Sequence, residues 1–323
     1  MGYCTRGVFA MFKTKLEILK SILGQYYCSG EEYIFYCPRC EHHKKKLSIN
    51  IDKNVFKCWV CDWRGKSIYR VVRRYGSHDQ KHTWKGFDNT VDVVNFSSKL
   101  FEPSSPDYRQ KINLPDEFRS LANKNMPKTA YYPINYLESR GIGKSDIIRW
   151  KIGYCDEGEY AGRIIVPSFD LDGDVNYFIA RAYDRAWPKY KNPSGVRKDI
   201  VFNELFLNFD EDLVIVEGVF DAIVAGPNAV PLLGSTLNEY HPLLEGVLEN
   251  DTPVYIGLDA DAKKKELKII NLLLKHDIEI RKIDIGPYSD IGQMKRGIFL
   301  DKKQSAALVN SENYLYEVIK EAL

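Results

Sequence analysis

Three kinds of hydrophobic spacing divide the chain. In "TKLEILKSILGQYY", residues 14–27, Leu16, Leu19, Ile22 and Leu23 recur on one helical face and predict a helix. Alternation follows in "LSINID" and "VFKCW", with Asp52-Lys53-Asn54 as the turn of a hairpin, and "KSIYRVVRRY" after Gly65 predicts a short closing helix. From about Ser77 to Pro115 the pattern dissolves around "EPSSPDYRQK", which predicts a linker. Helical spacing returns in "PINYLESRGIGKSDIIRW", and "RIIVPSFDLDGDVNYFIARAY" reads as two strands about a turn at Asp172-Gly173. Beyond Asp212 the runs "LVIVE", "GVFDAIVAG", "AVPLLG", "PVYIGLDAD", "AKKKELKIINLLLKH" and "IEIRKIDIG" alternate strand and helix, the rhythm of a parallel sheet with crossover helices. The last stretch, "KKQSAALVNSENYLYEVIKEAL", predicts a helical ending.

These elements predict an α/β chain, α+β overall. A small ribbon-like module over residues 1–76 is followed by a linker over 77–115 and a mixed segment over 116–205. A parallel-sheet segment then covers 206–300, and a helical tail 301–323. A length of 323 residues, with 44% hydrophobic and 28% charged, suits two or three globular units. No apolar run approaches the roughly 20 residues of a membrane span, and the start, "MGYCTRGVFAMFKTK", lacks a signal-peptide pattern. The expectation is a cytoplasmic protein without a membrane partner.

Charge changes the picture more than composition does. The net charge of +2 hides 15 Lys or Arg against 6 Asp or Glu in residues 1–76, and 9 against 16 in residues 206–300. A basic head suits a polyanion, whereas the acidic segment repels one unless bound cations reverse its sign.

Seven cysteines, two pairs of them at CxxC spacing, point to a reducing compartment and to metal. Cys37 and Cys40 in "CPRC" face Cys58 and Cys61 in "CWVC" across seventeen residues. Two such knuckles on a hairpin bring four thiolates to the corners of a tetrahedron, the geometry of a closed, structural Zn²⁺ site. His42 and His43 offer an alternative to Cys40; otherwise they are exposed residues of the basic loop. Around the cysteines stand Lys44 to Lys46, Lys57, Arg64, Lys66, Arg70, Arg73 and Arg74, with Trp59 and Trp63 among them. Cations interleaved with aromatic rings suit single-stranded nucleic acid, although the charges alone fit a solvated surface equally well.

The second constellation is acidic. Glu217 closes "LVIVE", with Asp221 a helical turn on; Asp259 and Asp261 close "VYIGLDAD"; Asp284 and Asp290 follow "IRKID". Parallel strands carry their ligand sites at one edge, so Glu217, Asp259, Asp261 and Asp290 converge there. Two carboxylates about 4 Å apart repel by about 1 kcal/mol in water and about 4 kcal/mol at an effective dielectric of 20. Such a group keeps its protons or takes a hard cation; Mg²⁺ uses few carboxylates and keeps positions open for phosphates. Taken singly, Glu217 complements a helix dipole and Asp261 caps a helix; their common place at strand ends favours a metal site.

EGxxDA followed by a strand ending in DxD resembles the signature of the Toprim domain. Upstream, "YLESRGIGKSDIIRWKIGYC" looks like the fold-back helix pair of DnaG-type primases. "RIIVPSFDLDGDVNYFIARAY" is similar to that family's RxxxP strand, turn and second strand, "PKYKNPSG" to its basic segment, and "AVPLLGSTL" to another of its stretches. The resemblance spans about residues 30–300 in the family's order. It departs at Cys40, where bacterial chromosomal enzymes have histidine and phage enzymes cysteine. It departs also at "DADAKK", which lacks a glycine, and at Gln293, where an acid is common.

The resemblance implies a compact, phage-type DNA primase that makes short RNA primers on single-stranded DNA from nucleoside triphosphates. Asp259, Asp261 and Glu217 would hold Mg²⁺ or Mn²⁺, with Asp221 and Asp290 completing the catalytic group. Arg163, Arg181, Lys189, Tyr190, Lys191 and Asn192 would line the path of template and nucleotide. The zinc module would select the template, and a replicative helicase with other replisome proteins would be partners. The rivals are a Toprim nuclease or topoisomerase-like enzyme, which lacks its usual companion domains here, and a non-catalytic zinc-and-Toprim recombination mediator.

Overall fold

The structure, a computed structural model, describes residues 11–88 apart from 62 and 66, and residues 110–322. They fall into two compact units that divide between residues 105 and 106.

The first unit begins with helix α1, Met11–Leu23. Gly24, at φ +79°, ends it in the left-handed region a residue with a Cβ rarely adopts, and its N–H reaches the Lys20 carbonyl at 2.9 Å. The predicted helix therefore stops short of Tyr26 and Tyr27. Strands β1 (Tyr27–Ser29), β2 (Glu32–Phe35), β3 (Leu47–Asn50), β4 (Val55–Cys58) and β5 (Arg64–Gly65) form an antiparallel meander in chain order. The predicted hairpin is β3–β4. Helix α2, Tyr69–Tyr75, closes the ribbon as expected, but a third helix, α3, spans His78–Asp88 where a linker was predicted. Its Trp84, 1% exposed, sits in the core with Leu19, Phe35, Leu47, Ile68 and Val72. One buried indole outweighs a polar sequence that shows no helical stripe. The rest of the expected linker up to residue 109 lies outside the described residues.

The second unit carries two sheets. Residues 110–115 are not linker either: the Ile112 N–H bonds the Val175 carbonyl at 2.8 Å, and Ile112 and Leu114 pack on a small core. Strands β6 (Arg119–Ser120), β7 (Gly153–Cys155), β8 (Arg163–Phe169) and β9 (Val175–Ala182) form an antiparallel sheet. Helices α4 (Tyr131–Ser139) and α5 (Lys144–Arg149) fold back on each other through Gly141 at φ +72°. Asp146 caps α5 by accepting from the Gly143 N–H at 3.0 Å.

The other sheet runs β11-β10-β12-β13-β14. Strands β10 (Leu213–Val216), β11 (Ala229–Pro231), β12 (Val254–Gly257) and β13 (Ile280–Lys282) are parallel. Both faces are covered, which is why "LVIV" shows no alternation. Leu213 and Ile215 pack with helices α7 (Pro242–Asn250) and α8 (Lys263–Lys275); Val214 and Val216 pack with helix α6 (Val219–Ala225) and the fold-back pair. The predicted helical ending differs. Helix α9 spans Arg296–Gln304, strand β14 (Ala307–Val309) adds an antiparallel edge to β13, and helix α10 covers Ser311–Ala322. Three residues between two helical patterns are too few to read as a strand until β13 offers its free edge.

Candidate active site

The cysteine cluster is built from β2, β4 and the turns after them. Cys37 and Cys40 follow β2, Cys58 ends β4 and Cys61 lies three residues on. All four Sγ atoms lie within 4.8 Å of one another, with Cys37–Cys61 and Cys40–Cys58 each at 3.8 Å. A tetrahedron with metal–sulfur bonds of about 2.3 Å has edges of about 3.8 Å, so the thiol cluster has the dimensions of a zinc site. His42 is no ligand: its Nδ1 accepts from the Lys44 N–H at 3.1 Å and so belongs to the basic loop. Of the two tryptophans, only Trp59 is a surface residue, 67% exposed with Lys57 Nζ 4.6 Å from its ring centroid. Trp63 is buried against Phe56. Tyr36, with Lys45 5.4 Å from its centroid, is a second exposed ring beside a cation.

A cavity of about 410 Å³ opens at the carboxyl ends of β10 and β12. Val216 is level with Gly257 in the parallel register, so Glu217 leaves β10 beside Leu258 and Asp259 follows one residue on. The Asp290 loop is tied to them by the Ala260 N–H, which donates to the Ser289 carbonyl at 2.9 Å. Glu217, Asp259 and Asp290 thereby share one wall of the cavity. Asp261, the other half of DxD, is exposed and outside the lining. It does not cap α8 either, whose N-cap is Ala262 without a side-chain bond.

Asp221 plays a different part from its neighbours. It is 8% exposed; Oδ2 accepts from the Gly218 N–H at 2.9 Å and Oδ1 from the Gly292 N–H at 2.7 Å. It caps α6 and clamps the Asp290 loop onto that helix. Burial, with Asp290 nearby, pushes its carboxyl up to about 6. Burial also pushes Asp259 up to about 7, reinforced by the charges of Asp221, Glu217, Asp290 and Asp261. Asp290 Oδ2 accepts from Gln293 Nε2 at 3.0 Å, so the amide in place of an expected acid braces Asp290. Glu217 Oε1 meets Lys265 Nζ at 2.7 Å, and its Oε2 is buried with no partner. Hard oxygen donors, mutual repulsion and an orphaned buried oxygen fit a divalent cation. Among the described residues the carboxylates form no compact group of three metal ligands like that of the cysteines, and Mg²⁺ needs only one or two of them.

The same cavity is lined by cations as well. Arg140, Arg181 and Lys189 contribute to its lining, as do Tyr190 and Asn192. Segment 189–192 runs antiparallel to the end of β9, with the Ala182 N–H on the Lys189 carbonyl at 2.9 Å and the Lys191 N–H on the Ala180 carbonyl at 3.0 Å. Arg181 donates to the Tyr190 hydroxyl and stands 4.7 Å from that ring's centroid and 5.4 Å from that of Phe220. Two expected contact residues lie elsewhere. Arg163 is buried, and its guanidinium donates to the Ala161 and Pro188 carbonyls at 3.0 and 2.9 Å, which anchors the basic segment from behind. Lys191 turns away to Glu159, at 3.2 Å. Sequence reasoning missed Arg140, whose guanidinium stacks over Tyr136 and Phe220 at 5.4 and 5.2 Å, and Lys265. Arg140 sits in the quoted fold-back motif; Lys265 is one of three consecutive lysines and carries no signal of its own.

The fold beneath these sites is that of bacterial primase. The chain superposes on the zinc-binding and RNA polymerase domains of Aquifex aeolicus primase with a TM-score of 0.50 and 18% identity, over 95% of this chain and 90% of that one. It superposes on a DnaG primase catalytic domain bound to single-stranded DNA with a TM-score of 0.52 and 17% identity, over 61% of this chain and 78% of that one. In sequence it is 23% identical to a DNA primase of Thermotoga maritima, over 97% of this chain and 63% of that protein. The likeness to a DNA primase of Clostridium acetobutylicum is 24%, over 83% and 53%. No protein-family model matches the chain. The chain spans between half and two thirds of the curated relatives it matches. Fold and sequence likeness both lie with DNA primases.

Proposed function

We propose that the chain is a DNA primase that joins nucleoside triphosphates into short RNA primers on single-stranded DNA. The observation that carries the reading is one cavity lined both by the acids Glu217, Asp259 and Asp290 and by the cations Arg140, Arg181 and Lys189. A nucleoside triphosphate paired to a template needs both: cations for its phosphates, and carboxylates that recruit a divalent cation.

Glu217 and Asp259, with Asp261 drawn in from the rim, would hold Mg²⁺ or Mn²⁺, which when bound offsets charge on the triphosphate and the attacking 3′-hydroxyl. Arg181 and Lys189 orient the phosphates. Arg181 enters that task preorganised by Tyr190 and Phe220, with little side-chain freedom left to lose. Asp221 keeps the Asp290 loop in place and leaves the reacting atoms to the others. The zinc module, with Tyr36 and Trp59 beside lysines, binds the template strand. By likeness to the family, the enzyme works in the cytoplasm, the host's if phage-encoded, beside a replicative helicase. No described helix is long and apolar enough to cross a membrane.

The test is direct. The purified chain with Mg²⁺ or Mn²⁺, nucleoside triphosphates and a single-stranded template should yield short, template-directed RNA. Metal-dependent binding of template without product would replace this reading with a DNA-binding one.

A further inference from the structure

Of the three consecutive lysines that open α8, one faces the site. Lys263 is engaged by Glu266 and Glu317, and Lys264 is exposed. Lys265 reaches back to β10 and places Nζ 2.7 Å from Glu217 Oε1, with the two side chains only 17% and 23% exposed. The other Glu217 oxygen is buried and lacks a partner, so half of this carboxylate is neutralised from within and half is open.

We propose that Lys265 is a built-in counter-cation that competes with the divalent metal for Glu217 and so sets the metal affinity of the acidic wall. The inference rests on the reading of Glu217 as a metal ligand. Two cations on one carboxylate stand a few ångströms apart, and partial burial deprives them of the solvent that would screen them. Metal entry therefore loosens Lys265 from Oε1. Until then the ion pair keeps Glu217 in place at the end of β10 and limits the repulsion between Glu217 and Asp259. The device lets the site stay ordered without metal, at the expense of weaker binding.

Mn²⁺ binding to the full chain, followed by the electron paramagnetic resonance signal of free Mn²⁺ without nucleotide or template, tests this. Lys265→Met keeps the apolar stem and removes the charge; it should bind Mn²⁺ about tenfold more tightly than the parent chain. Lys265→Arg, which keeps the charge, should stay near the parent affinity, and Glu217→Gln should bind more weakly. Lys265→Gln serves in the same way if the methionine variant does not fold. Unchanged or weaker binding in the charge-removing variants, with Glu217→Gln still impaired, would overturn the competition and leave the metal reading standing. If Glu217→Gln binds as the parent does, Glu217 is no ligand and both ideas fall.

Discussion

The cysteine cluster and the acidic wall are both collections of negative donors, yet they sit in opposite states. The four thiols are already at tetrahedral spacing, and their protein framework is short-range: two knuckles, each with its cysteines three residues apart, after β2 and at the end of β4, the two strands that flank β3. The carboxylates come from the segments that follow three different strands; one is paired with a lysine, another is raised to about 7. A structural metal site is completed by folding and needs nothing more. A site for chemistry must stay able to accept and release a charged substrate, and a permanently closed shell would forbid that.

The largest effect should come from breaking the closed site. Cys58→Ser should release zinc and unfold the first unit, because metal binding of about 10 kcal/mol or more is folding energy there. The second unit should keep its melting transition. Calorimetry beside metal analysis checks both, and a single unchanged transition would mean that the head stands without its metal.

Substitution in the open site should leave the fold and remove the chemistry. Asp259→Ala and Asp261→Ala should each lower primer synthesis by about 10²–10³-fold. Their melting temperature without metal should hold or rise, since like-charge repulsion is relieved, and template binding at low Mg²⁺ should tighten. A variant that is active but less stable would return these acids to a structural role.

Asp221 sharpens the contrast, since it lies in the open site and behaves like a member of a closed one. Asp221→Ala leaves the Gly218 and Gly292 N–H groups without acceptors and should cost about 2–4 kcal/mol of stability in denaturant unfolding. Its titration adds a second signature. The folded carboxyl loses its proton near 6 and the unfolded one near 3.8. The proton-linked part of its stabilisation is therefore full below 3.8, declines as pH rises through that window, and is gone above 6, while the two backbone hydrogen bonds remain. The decline amounts to about 3 kcal/mol, and Asp221→Asn should lack it when both are unfolded without divalent cation between pH 4 and 7.

The smallest effect belongs to the surface of the head. Neutralising Lys44, Lys45 and Lys46 together should weaken single-stranded DNA binding by the full chain and reduce its salt slope by up to about 2. An unchanged slope would make these lysines a solvated face.

How much of this was readable in advance depends on how local the deciding contacts are. The β3–β4 hairpin, the fold-back helices and the CxxC pairs depend on neighbours a few residues away, and all stand where their spacing put them. Helix α3 escaped because its stability lies in Trp84 buried against α1, a contact spanning some sixty residues that no periodicity records. Strand β14 escaped because three residues acquire a ladder only from the edge of β13. Residue type was a poor guide to role wherever a charge was buried: Arg163 and Asp221 carry the groups expected of a binding site and use them on backbone carbonyls and N–H groups.

The residue pattern alone, then, set out the chemistries on offer: soft thiolates at CxxC spacing for zinc, and hard carboxylates after the ends of parallel strands. Those follow from residue type, short spacing and the direction of parallel strands. Tertiary structure alone decided which copy of each residue does the work. It turned Lys265 inward and left Lys264 in solvent, set Asp221 to clamp a loop, and brought Arg140 from the fold-back helix into the cavity that Glu217 and Asp259 line. The physical reason is burial: a charged group is tied to whichever partner removes the cost of leaving water, and only the folded chain determines which partner is within reach.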